Sequence, residues 1–168
     1  MTAQAEVGAA MLSEDTRQVI DHWVAKFPAE KKRSALIQSL MAAQEQNGGW
    51  ITTELTEAVA EYLDLPPVWA HEVVSFYSMF FTEPVGRHKV HICTNISCWL
   101  NGADQVVAHA EKKLGIGLGE TTSDGRITLV REEECLAGCC GAPMMVVDGH
   151  YHENLDEQAL DTVLDGLE

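Results

Sequence analysis

Five cysteines, all beyond residue 90, constrain this chain more than any other feature. They fall into two short groups, Cys93-Thr-Asn-Ile-Ser-Cys98 and Cys135-Leu-Ala-Gly-Cys139-Cys140-Gly-Ala-Pro143. Each group begins where a strand-like pattern runs into a loop. Two short groups far apart in sequence suit a four-thiolate site, because the fold can bring two loops together while a sheet fixes their separation. Thiolates select soft metals: zinc, copper(I) or iron–sulfur clusters. A [2Fe–2S] cluster needs four protein thiolates, two per iron, and a gap of four residues between the first two is one of its known spacings. Structural zinc sites favour two intervening residues and accept up to about four. The spacing therefore leans toward iron. It keeps a zinc-stapled interaction module as the alternative, and it does not choose between Cys139 and Cys140 as the fourth ligand. A thioredoxin-type dithiol needs Cys-x-x-Cys, which is absent. Small thiols packed in a core are the bland reading, and five of them clustered at two loops weigh against it.

The rest of the chain says what carries these loops. Residues 1–12 are small and mixed and read as a loose tail. Four helical patterns follow. The first starts at Ser13, a suitable N-cap, and carries Val19, Ile20, Trp23, Val24 and Phe27 up to Pro28. The second carries Leu36, Ile37, Leu40 and Met41 and stops at Asn47-Gly48-Gly49. The third starts near Thr52 or Thr53. Pro66-Pro67 ends it and opens the fourth, with Trp69, Val73, Phe76, Tyr77 and Phe80. Short links between amphipathic helices suggest a small bundle over 13–85. Beyond Pro84-Val85-Gly86 the pattern changes to α/β over 86–168. His88 to Cys93 alternates like a strand, and Trp99 to Leu114 reads as one helix. A second strand is expected around Ile127, Leu129 and Arg131. Met144 to Val147 leads through Asp148-Gly149, a hairpin turn, to Tyr151 and His152. Asp156 to Leu167 closes the chain as a helix. The fold class is α+β: a helical bundle, then an α/β domain.

Charge narrows the function. The 11 basic and 26 acidic residues leave a net charge of −15. Such a surface repels phosphate backbones and anionic lipid, so no nucleic-acid partner is expected. No segment nears the roughly 20 apolar residues that span a bilayer. The N-terminus lacks the features of a signal peptide or an Arg-rich presequence. A cytoplasmic protein without direct membrane insertion is expected, and there an odd number of cysteines favours metal or redox chemistry over disulfides. No Lys or Arg follows Arg131. That stretch is either a solvated acidic surface or a face for a basic partner.

Several residues around the cysteines have mechanical readings. Gly138 and Gly141 let backbone approach sulfur and reach unusual dihedrals. Glu132, Glu133 and Glu134 place negative charge beside Cys135, where it would disfavour an added electron; a solvated strand end is the alternative. Trp99 either shields a cluster from water or simply starts a helix. Trp50, Trp69, Phe76, Tyr77 and Phe80 read as core or partner-contact residues. The seven histidines form no ligand pattern, and no catalytic residues are expected in this chain.

At the cysteine groups the sequence resembles a known family. Cys93-Thr-Asn-x-x-Cys98 followed by Gly102, and Glu134-Cys135-Leu136 through Cys139 to Ala142-Pro143, resemble the family of E subunits of respiratory NADH:quinone oxidoreductase, complex I. Lys32 to Ile37, Gly48 to Ile51 and Val74 to Phe80 are similar to family blocks upstream, so the resemblance runs from about residue 15 to the end. It implies a thioredoxin-like α/β domain after the bundle. It also implies one [2Fe–2S] cluster on Cys93, Cys98, Cys135 and Cys139, with Cys140 at a non-ligand position. Pro143 falls where such folds often have a cis-proline. The implied partners are a flavoprotein subunit that binds FMN and NADH and other peripheral-arm subunits of the complex, at the cytoplasmic face of the inner membrane. The chain itself shows no Gly-x-Gly-x-x-Gly fingerprint, so FMN and NADH are expected on the partner. Related subunits serve NAD-reducing hydrogenases and NAD-dependent formate dehydrogenases, an alternative setting. One departure stands out: the family usually has Gly directly after the Leu of the second group, where this chain has Ala137.

Overall fold

The computed structural model describes residues 11–131 and 134–168. The chain divides into two compact units, one ending at Pro84 and the other starting at Val85.

Among the described residues the first unit has four α-helices, two of them capped by a side chain. Helix α1 (Glu14–Val24) begins at Ser13, whose Oγ accepts the Thr16 N–H at 3.1 Å. A 3-10 segment, Ala29–Ala35, follows Pro28 and leads into α2 (Leu36–Gln46). Helix α3 (Thr53–Tyr62) is capped by Thr52, whose Oγ1 accepts the Leu55 N–H at 3.1 Å. Helix α4 (Pro67–Phe76) starts with proline in its first turn, where the missing N–H costs no helical hydrogen bond. The apolar stripes meet in one core containing Ile20, Leu36, Leu40, Ile51, Leu55, Val59 and Leu63, all buried. Burying each such side chain contributes roughly 1.5–3 kcal/mol. Two expectations change. The fourth helix stops at Phe76, because Tyr77 turns extended (φ −95°, ψ 125°). Phe80 then reaches the core from the following loop, while Phe76 is left 77% exposed. The expected tail at 1–12 falls largely on residues 1–10, outside the described residues; Leu12 is buried in the core.

The second unit is a four-stranded mixed sheet of order β2-β1-β3-β4. Strand β1 (His88–Ile92) pairs in parallel with β2 (Ile127–Val130) and antiparallel with β3 (Met145–Val147), which pairs antiparallel with β4 (His150–His152). Asp148 and Gly149 both take positive φ (49° and 83°), which fits the tight β3–β4 turn. Between β1 and β2 the sequence pattern suggested one helix, but the structure has two. Helix α5 (Ile96–Leu100) is capped by Asn95, and α6 (Ala103–Leu114) follows a break at Gly102 (φ 93°). Only a residue at ease in the left-handed region fits that break. Helix α7 (Glu157–Gly166) starts at Asp156, whose Oδ1 accepts the Ala159 N–H at 2.7 Å. Val90, Ile92, Ile127, Leu129, Met145, Val147, Leu160 and Leu164 form the core of this unit. A parallel β1–β2 pair joined through helices, followed by an antiparallel hairpin and a helix, is a thioredoxin-like arrangement.

Candidate metal centre

Both cysteine groups lie beside β1 and β3. Cys93 directly follows β1, and its N–H donates to the Met144 carbonyl just before β3, at 3.1 Å. Cys98 sits inside α5 and faces inward. Both are buried, in a small apolar cluster with Ala103 and Met144, flanked by Leu136, Ala142 and Val146. Cys135 lies in the loop after β2, and Cys139 opens a 3-10 turn, Cys139–Gly141; both are exposed. The Sγ atoms of Cys135 and Cys139 are 3.5 Å apart. The Cys93 thiol interacts with those of both Cys98 and Cys135. The Ser97 Oγ bonds the Cys139 carbonyl at 3.4 Å, tying α5 to the second loop. Thus the fold brings Cys93, Cys98, Cys135 and Cys139 together from positions about 40 residues apart. Cys140 is exposed and interacts with Cys139.

The thiols are not equivalent. Burial, then the neighbouring Cys93 thiol, pushes the Cys98 thiol up to about 11. The Ala137 N–H donates to the Cys135 sulfur and, with the Cys139 thiol, lowers the Cys135 pKa. Cys139 is raised, first by its hydrogen bond with Cys135 and then by that group's charge. In the metal-free protein Cys135 ionises ahead of Cys98 and Cys139, and loading a metal must displace the remaining protons. Four sulfurs over an apolar floor are a soft donor set. Among the described residues no group of three or more His, Cys, Asp or Glu is arranged to hold a single ion. A two-iron cluster does not require such a group, since each iron takes two protein sulfurs.

The loop geometry revises part of the sequence reading. Gly138 (φ −105°, ψ 39°) and Gly141 do not take positive φ; the left-handed residue is Ala137, at φ 61°. What the glycines avoid is side chain. A Cβ on Gly141 would lie 2.5 Å from the Cβ of Glu153, and one on Gly138 would lie 2.9 Å from the Met144 Cε. The Ala142–Pro143 bond is cis, as the resemblance implies. Trp99 is 57% exposed, so its ring does not roof the cysteines; it heads outward and its Nε1–H donates to Asp104 Oδ2 at 2.9 Å. Glu132 and Glu133 lie outside the described residues, and Glu134 is exposed. Two site residues carried no sequence signal beyond a hairpin turn just after the second cysteine loop. Tyr151 donates its hydroxyl to the Leu136 carbonyl at 2.9 Å, and Glu153 lies over Gly141. The Asn154 N–H to the Gly141 carbonyl (2.7 Å) and the Leu155 N–H to the Pro143 carbonyl (2.9 Å) pin that segment to the loop.

Comparison with known proteins places this geometry in context. Residues 20–168 match the family described as thioredoxin-like [2Fe-2S] ferredoxin. The chain is 43% identical over 142 residues to the E subunit of NADH-quinone oxidoreductase from Rickettsia felis, covering 84% of each. It is 42% identical over 151 residues to the E 2 subunit of the same enzyme from Rhizobium meliloti, covering 90% of this chain and 88% of that protein. The Dictyostelium discoideum protein named NADH dehydrogenase [ubiquinone] flavoprotein 2, mitochondrial, is 39% identical over 148 residues, 88% of this chain and 60% of that one. Among solved structures, an NAD+-reducing [NiFe]-hydrogenase in the air-oxidized state superposes with a TM-score of 0.62 and 24% identity. The superposition covers 75% of this chain and only 22% of the hydrogenase chain, and it speaks to the fold alone.

Proposed function

Since the chain belongs to the thioredoxin-like [2Fe–2S] ferredoxin family, we propose that Cys93, Cys98, Cys135 and Cys139 hold one such cluster. In this reading the protein is the electron-transfer subunit of an NADH:quinone oxidoreductase, the complex for which its bacterial relatives are named. Its partner is a flavoprotein subunit carrying FMN and the NADH site, within the peripheral arm of the complex. The carrying observation is that four thiols from two distant loops meet beside β1 and β3.

When bound, the cluster supplies one-electron transfer, in which no covalent bond to substrate is made. The chain's own residues do the rest. Cys93 and Cys98 close the inner side and, with Ala103 and Met144, keep water from it. Cys135 and Cys139 face the exposed side, through which electrons exchange. The Ala137 N–H, aimed at the Cys135 sulfur, favours the thiolate that metal binding needs. Among the described residues no helix is long and apolar enough to cross a membrane.

The test is reduction of the cluster by NADH through the flavoprotein. The purified chain, mixed anaerobically with its host's flavoprotein subunit, should develop the rhombic EPR signal of a reduced [2Fe–2S] cluster when NADH is added, and none with NADH alone. A cluster that stays oxidised although dithionite reduces it would overturn the assignment of partner.

A further inference from the structure

One peptide unit of the second cysteine loop is held at both ends. The Ala137 N–H donates to the Cys135 sulfur, and the Leu136 carbonyl of the same peptide accepts the Tyr151 hydroxyl at 2.9 Å. Tyr151 is itself fixed by the sheet. It is the central residue of β4 and pairs with Val146 of β3. The same strand steadies the first cysteine group, through the Cys93 N–H to the Met144 carbonyl just ahead of it. Both groups are thus referred to β3. The Tyr151 ring also borders Gly138, where an added Cβ would lie 3.4 Å from its Cδ1. Yet Tyr151 is 55% exposed, so core filling does not account for a tyrosine here. The hydroxyl makes the connection to the loop, and phenylalanine would pack as well without it.

We infer that Tyr151 is a positioning residue for the iron–sulfur site: through the Leu136–Ala137 peptide it aims and strengthens the N–H bond to the Cys135 sulfur, and so raises the reduction potential. The inference deepens the cluster reading above and rests on it. Two effects act together. The first is orientation. The hydroxyl ties the peptide plane to β4, and with it the direction of the N–H. Water can hydrate the carbonyl when the hydroxyl is gone, but a water is not tied to the sheet and leaves the peptide free to tilt. The second is polarisation. A donor on the carbonyl draws electron density toward oxygen and leaves the N–H a better donor; bonds in such a chain strengthen one another by roughly 10–30%. An electron added at the site makes the sulfurs more negative, so a stronger N–H bond favours the reduced state. Groups behind a metal ligand commonly orient and tune it in this way.

The experiment is an EPR-monitored redox titration of the full-length, cluster-loaded chain. Tyr151→Phe keeps the ring and removes only the hydroxyl. It should retain iron and acid-labile sulfide at wild-type content. Its midpoint potential should fall, with reduction roughly two- to fivefold less favourable, or about 20–40 mV at 59 mV per tenfold. A potential equal to or above that of wild type overturns the inference, while the cluster reading stands. A second variant separates tuning from mere support of the loop. 3-Fluorotyrosine placed at 151 alone keeps the ring and the hydroxyl but donates more strongly. At a mildly acidic pH, where its phenol stays protonated, it should raise the potential above that of the wild type. An unchanged or lower value there overturns the inference, and this measurement decides should Tyr151→Phe lose its cluster. A wild-type chain that holds no iron–sulfur cluster when isolated from cells overturns the reading and the inference together.

Discussion

Ala137 occupies a backbone conformation that suits glycine, and substitution there gives a sharp test of how the second loop is built. At φ 61° an L-residue bears a clash between its Cβ and the neighbouring carbonyl, costing roughly 1–2 kcal/mol. Glycine removes that cost but gives the unfolded chain more freedom, which returns about 0.4–1 kcal/mol. The net expectation for Ala137→Gly is a loop more stable by about 0.5–1 kcal/mol. The N–H that donates to Cys135 is backbone and survives the change. Ala137→Val goes the other way, because a β-branched residue at positive φ is a true outlier. The assay is the rate at which cluster-loaded protein loses its visible absorbance to excess chelator, since cluster loss is irreversible and a rate is the proper measure. A net gain of about 0.5–1 kcal/mol corresponds to roughly two- to fivefold slower loss for Ala137→Gly, with RT near 0.59 kcal/mol; Ala137→Val should lose its cluster faster than wild type. Equal rates in all three, or faster loss in the glycine variant, would refute the argument that this residue is held against its preference.

Three further outcomes follow from the site and its surroundings. Gly141→Ala should destabilise the cluster-loaded protein by about 1–3 kcal/mol, because its new Cβ meets the stem of Glu153, whereas Gly138→Ala should cost less, since the nearest atom is the mobile end of Met144; chemical denaturation would rank the two, and the reverse order would disprove this packing. Cys139→Ser should abolish or severely alter the cluster while Cys140→Ser retains it, as read by iron content and EPR; equal loss in both would mean the fourth ligand is misassigned. His88 Nδ1 lies 2.6 Å from Asp148 Oδ2 and links β1 to the β3–β4 turn. The hydrogen bond to Asp148, then that to the Glu168 carbonyl, raises the His88 pKa. At Asp148 burial pushes upward, but the bonds from His88 and the Lys89 N–H outweigh it and the pKa falls. The pair therefore contributes fully between about pH 3.9 and 6.5, is lost as pH rises through the raised His88 pKa, and is lost as pH falls through the lowered Asp148 pKa. Thermal unfolding from pH 5 to 9 should show wild type losing more stability than His88→Asn over the upper part of that range; parallel curves would contradict the assignment.

Much of this was legible in the residues because local and global signals agree. Ser13, Thr52 and Pro67 announce helix starts that the structure uses, and Asp148-Gly149 announces its turn. The alternation of Val90 and Ile92 against Lys89 and His91 gives β1 its buried face. The misses share a cause. The split of α5 from α6 hinges on one left-handed glycine, Gly102, inside a run that otherwise looks continuously helical. The early end of α4 turns on the backbone of Tyr77, which no residue type nearby demands. At the site, spacing identified the cysteines and the resemblance separated Cys139 from Cys140, while Tyr151 and Glu153 reach the loop only through tertiary folding. Which side of α5 faces water could not be read from five residues that are nearly all apolar, since amphipathic patterning needs a polar face for contrast.

The central claim is that four thiols grip two irons, and metal and sulfide analysis of freshly isolated, cell-assembled protein tests it most directly. Iron and acid-labile sulfide near two each per chain, with a rhombic EPR signal on reduction, are the result this account predicts. One zinc per chain without sulfide would contradict it.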